Sequence, residues 1–124
     1  MDEKGLILRM LRDESLTRGL CDPEARLLVE WLACQIERLF LNGATTDRIQ
    51  REYAQLYQWG RAVRRFVILW CHQEDQGAAS QLAAAEGFSN SLPPADLTDP
   101  CEVMAHQLRW VAKQRGVPLM RLAA

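Results

Sequence analysis

Lysine is nearly missing from this chain. Two lysines stand against thirteen arginines in 124 residues, and the net charge is −1. A near-zero net charge gives no global field to draw the protein to nucleic acid or to a membrane surface. No apolar run approaches the ~20 residues of a membrane span. The opening "MDEKGLILRMLRDE" lacks the basic start and long apolar core of an export signal. The cysteines, at 21, 34, 71 and 101, show no C-x-x-C spacing. They are therefore expected to be reduced thiols in a cytoplasmic protein. Also missing are a phosphate-cradling glycine loop, an H-E-x-x-H and a Ser/His/Asp signature. Strand alternation bounded by hairpin turns is absent as well.

The residues that are present read as helix. The length suits one domain with a single core, spanning 1–124. In "CDPEARLLVEWLACQIERLFLNG", Asp22 is a natural N-cap, Pro23 suits the first helical position and Gly43 can close the helix. The same grammar returns at Asp99, Pro100 and Glu102, with Lys113 and Arg115 favouring the C-terminal dipole ahead of Gly116. Between these lies a third helix, expected over about 46–76 and ended by Gly77. Ile49, Tyr53, Leu56, Gly60, Val63, Val67 and Trp70 follow one another in steps of four and three, a heptad seam. Gly60 on that seam either lets a neighbouring helix approach closely or bends its own. An N-terminal helix around 3–18 and a short alanine-rich one around 78–86 complete the set. A stiff loop at 87–98 and a loose tail at 117–124 are expected beside them. The fold class is all-α: a compact bundle of four or five helices with one long central helix. The helices are apolar around more than half their circumference, so they need cover from one another or from a second copy of the chain.

The chemistry-bearing residues are few. Cys71 and His72 stand side by side, but successive helical residues project about 100° apart. Cys71 falls with the seam, and His72 falls with Arg61 and Arg65 on a polar wedge. That geometry is poor for a base that must reach its nucleophile's proton. No metal or cofactor is expected. Cys101 and His106 come nearest to a ligand pair, and they stand five apart, a poor same-face spacing.

Charge is distributed in blocks. Six acids and no cations occupy 66–108, and only cations follow Glu102. Either the acidic middle folds over the basic helices as weak surface ion pairs, or Arg61, Arg64, Arg65 and His72 form a surface for an acidic or phosphate-bearing partner. The favoured expectation is a non-enzymatic interaction or regulatory module that binds another protein or itself as a homodimer. The four tryptophans and the arginines suit such contacts. Two alternatives are a nucleic-acid-binding regulator using the arginine face, and a small metal-binding or enzymatic helical protein.

Overall fold

A computed structural model describes residues 4–5, 9, 12–88 and 92–115. Five helices lie among them: α1 (Glu14–Thr17), α2 (Asp22–Leu41), α3 (Thr46–Val67), α4 (Gln76–Glu86) and α5 (Pro100–Arg115). A π-helical turn, Ile68–His72, carries α3 onward. No strand occurs among the described residues, and the all-α class with its long central helix is as expected. No helix among them is long and apolar enough to cross a membrane. The tail 117–124 and most of 3–11 lie outside the described residues. Within 12–18, Asp13 is extended rather than helical, and its carboxylate accepts from Ser15 N–H to start α1 afresh.

The caps explain the boundaries. Thr45 Oγ1 accepts from Arg48 N–H at the start of α3. At the end of α2, Ala44 N–H reaches Leu39 O and Gly43 N–H reaches Phe40 O, with Gly43 at φ +68°. That pair of bonds is a Schellman closure, which needs the left-handed backbone that glycine adopts without strain. The N-cap of α2 is Cys21, not Asp22. Cys21 is extended, and its carbonyl accepts from Ala25 N–H. Asp22 and Pro23 therefore take the first two helical positions and Glu24 the third. In α5 the same "DP" pair sits one position earlier. Asp99 is outside that helix and its Oδ2 accepts from Glu102 N–H at 3.0 Å. The one-residue difference decides what Glu24 does.

The central helix ends at His72, four residues short of the expected boundary. In its last turn Gln73 N–H bonds to Ile68 O and Asp75 N–H to Leu69 O, wider than the α-helical spacing. Glu74 then takes a left-handed conformation (φ +52°), and Asp75 accepts from Ala78 N–H to cap α4. Gly77 thus lies inside α4 instead of ending α3.

Every seam position of the central helix is buried or half-buried. At Gly60 leucines of α1 and α2 come close to the central helix: a methyl group there would meet Leu32 Cδ1 at 3.3 Å and Leu16 Cδ2 at 3.4 Å. The glycine costs about 1 kcal/mol of helix propensity and in exchange lets two leucines lie against the backbone. The apolar faces of all five helices meet in one core. Among the described large hydrophobic residues, only Leu41 and Leu92 are exposed. The breadth of apolar surface on α2 and α3 is covered within the chain, so it supplies no argument for self-association.

Candidate metal centre

At one end of the bundle the start of α2 meets the end of the central helix. The π-turn inserts extra backbone into the last turn and rotates the residues at its end, a feature often found at functional sites. His72 is turned by it toward α2. Its Nε2–H donates to Glu24 Oε1, so His72 does not extend the arginine face. Cys71 stays half-buried against the core. The two neighbours thus occupy different environments, as the wheel requires, but the polar one belongs to another surface.

Among the described residues Glu24 is the one charged residue that is buried, with no exposed area. Burying a carboxylate is expensive unless it is well paired. Its Oε1 also accepts from Cys21 N–H at 2.6 Å, the acidic half of a capping box. The other oxygen, Oε2, is buried with no hydrogen-bond partner among the described residues. One oxygen is thus doubly used and the other carries a desolvation cost without return.

Cys21 Sγ, a carboxylate oxygen of Glu24 and a ring nitrogen of His72 lie within 4.8 Å of one another. Tetrahedral zinc, with bonds of about 2.3 Å to sulfur and about 2.0 Å to nitrogen or oxygen, needs ligand atoms about 3.3–3.6 Å apart. Cys21 Sγ, within 4.8 Å of the other two, must move in by up to about 1 Å, while His72 Nε2 and Glu24 Oε1, already in hydrogen-bond contact, must move slightly apart. A thiolate, a carboxylate and a neutral imidazole sum to −2, which neutralises a divalent ion. The start of α2 carries only about half a positive charge against this.

The thiols of Cys21, Cys71 and Cys101 are poor nucleophiles. Glu24's charge, then burial, raises the Cys21 pKa above the usual thiol value. Burial, with Glu24 and Asp99 adding, pushes Cys71 up to about 11. Burial and then Asp99 raise Cys101, with Glu24 and Cys21 contributing. Thiolate catalysis wants the opposite shift. A metal ion, by contrast, displaces the proton itself.

The other candidates fall elsewhere. His106 is half-buried, its pKa lowered by burial and then by Arg109, and its Nδ1 accepts from Gln107 Nε2 at 3.4 Å. That is the setting of a packed histidine. Neither it nor Cys101 belongs to the converging trio. Arg61 and Arg65 are exposed along a shallow groove beside Tyr57, where Glu86 is the one acid of the 73–102 stretch. Arg64 is half-buried and its Nη1 donates to Arg18 O at 2.8 Å. Its Nε is buried without an acceptor among the described residues. Burial first, then the like charges of Arg61, Arg65 and Arg18, lower its pKa. Arg61, Arg64 and Arg65 thus stay near enough for their charges to act on one another, while His72 is taken up by Glu24.

The Cys21–Glu24–His72 trio is hidden in the sequence by the position of the cap. With Asp22 as cap, Glu24 reads as an ordinary acid in a first turn. The usable signal is C-x-x-E at 21–24, a capping box with cysteine in the Ser/Thr place. Comparison with protein-family models, with curated proteins and with solved structures finds no match to this chain.

Proposed function

We propose that the chain is a small helical metal-binding protein, with Cys21, Glu24 and His72 holding one divalent transition-metal ion of the zinc class. The observation that carries this is the buried Glu24 carboxylate, which has the Cys21 thiol and the His72 imidazole close by and one oxygen with no hydrogen-bond partner among the described residues. An ion uses that spare oxygen while Oε1 keeps the Cys21 N–H, so the helix cap survives binding. Mixed sulfur, nitrogen and oxygen donors suit zinc and its neighbours better than calcium or magnesium. Bound there, the ion clamps the start of α2 to the end of the central helix.

Stripped of metal and kept reduced, the protein should take up one equivalent of zinc. At ~100-fold excess over Kd the bound form gains about 2.7 kcal/mol against unfolding, seen as a melting temperature several degrees higher. Cys21→Ser should lose that gain while its metal-free form stays as stable as the wild type or more so, because serine is a good N-cap. A wild-type protein that shows neither stoichiometric uptake nor a melting shift would sink the reading.

A second reading concerns the arginines. Arg64, with a buried unpartnered nitrogen and three like charges around it, favours an anionic partner, with nucleic acid the alternative to an acidic protein surface. Changing Arg61, Arg64 and Arg65 together to glutamine should abolish any binding of a DNA or RNA duplex that weakens steeply with added salt. If the wild type binds neither, the nucleic-acid version ends there.

A further inference from the structure

We infer that the cleft where the central helix, the end of α4 and α5 meet binds a phosphocholine group, with its trimethylammonium in an aromatic cavity and its phosphate in the adjoining arginine groove. The site shares no residue with the candidate metal centre and does not rest on that reading.

Trp59 of α3, Phe88 just after α4 and Trp110 of α5 line a cavity of about 50 Å³. One water needs roughly 10–15 Å³, so the space suits a branched group of a few heavy atoms. The Trp110 ring centroid is 6.4 Å from that of Trp59 and 6.0 Å from that of Phe88, with the planes tilted by 35° and 48°. One cation in the shared cavity can therefore lie within the ~6 Å over which ring faces attract it. Val63 and Val111 add apolar wall. The end of α4 sets one acid at the rim. Gly87 is left-handed (φ +83°) and Phe88 N–H bonds to Ala83 O, which buries Phe88 and leaves Glu86 exposed. Glu86 lines the cavity, and among the described residues no ion pair holds it.

An unmethylated ammonium is compact, strongly hydrated and carries three donors, for which the lining side chains offer one carboxylate. A trimethylammonium has no donor to leave unpaired, and its methyl groups suit an aromatic cage. A cation alone, however, would face Arg61 and Arg65. These two are exposed, one turn apart on α3, and line the shallow groove that shares Ala62 and Glu86 with the cavity. An anion joined to the ammonium answers that charge, and arginine pairs well with phosphate oxygens. In phosphocholine an ethylene link joins the two groups, short enough to place them in adjoining hollows. Arg64 lines neither hollow and takes no part.

Tryptophan fluorescence and calorimetry of the full-length protein test this with three soluble ligands. Phosphocholine should bind with a Kd on the order of 1 mM or tighter. Choline, which lacks the phosphate, and phosphoethanolamine, which lacks the methyl groups, should each bind about tenfold more weakly. Arg61→Gln with Arg65→Gln should bring phosphocholine down to the level of choline, and Glu86→Gln should weaken both several-fold. All three positions are exposed, so these variants should fold, and circular dichroism checks them. Trp59→Leu should abolish binding of both ligands. Choline bound as tightly as phosphocholine would remove the groove from the site, and phosphoethanolamine bound as tightly would remove the aromatic cavity. Either result overturns the inference, as does a lack of saturable phosphocholine binding. Where soluble phosphocholine binds, co-sedimentation with phosphatidylcholine vesicles marks a lipid headgroup as the ligand, and none marks the free compound. Zinc uptake decides the metal centre separately.

Discussion

Truncating Phe66 to alanine is expected to cost about 3–5 kcal/mol. The ring is fully buried on the central helix. It stacks on Trp70, with centroids 5.4 Å apart and planes at 19°, and meets Phe88 edge-on at 5.7 Å. Phe88 in turn contacts Trp110 of α5 at 6.0 Å. Phe66 therefore joins the π-turn, the chain after α4 and α5, and its loss opens a cavity where three segments meet. A chain of this length has roughly 6–19 kcal/mol in total, at ~0.05–0.15 per residue. The loss is then a large share of the whole and should lower the melting temperature on the order of 10 °C or more. Phe66→Leu, which keeps most of the volume, should cost far less. Urea denaturation decides it: a cost below about 1 kcal/mol for alanine would mean that the aromatic row does not hold these segments together.

Glu24→Gln should separate metal binding from stability. The glutamine oxygen can still accept from Cys21 N–H, so the cap of α2 persists. The negative charge disappears, and with it the strengthening of hydrogen bonds from about 0.5–1.5 to about 1.5–3 kcal/mol each. The variant also removes a buried charge whose second oxygen has no partner, and relief of that cost works the other way. The net loss in the metal-free protein should be modest, about 0–2 kcal/mol. Zinc or cobalt affinity should nevertheless fall by more than ~100-fold, since a neutral amide is a poor ligand for these ions and outer-partner losses alone reach that range. Glu24→Ala adds a cavity and leaves both Cys21 N–H and His72 unpaired. Its cost lies toward the lower part of the ~3–5 kcal/mol that a broken buried pair carries, because the His72 side chain is 28% exposed and partly rehydrates. Unchanged metal affinity in Glu24→Gln would remove the carboxylate from the site.

The helices are legible in the sequence because their causes are local. Thr45 and Asp99 cap the helices they precede, Gly43 closes α2, and the seam from Ile49 to Trp70 is buried as its periodicity requires. These features depend on residues within a turn or two of one another, so amino-acid type and spacing suffice. Gly60 is a partial case: its place on the seam allows close approach or a bend, and the packing against Leu16 and Leu32 selects close approach.

The candidate centre is legible only in three dimensions. Cys21 and Glu24 stand three apart, but His72 is 48 residues beyond Glu24, and no periodicity links them. Two small departures bring them together: a cap one residue earlier than the "DP" pair suggests, and a π-turn that adds backbone where a straight helix would have aimed His72 beside Arg61 and Arg65. Each involves a shift of about one residue, near the precision with which a helix end can be placed from sequence, yet each turns a side chain by about 100°. By itself the sequence determined the helices, their seams and most of their caps, because short-range sterics and hydrogen bonding decide those. Tertiary structure alone decided which polar groups meet at the helix ends, because a rotation of one residue there is set by how the ends pack.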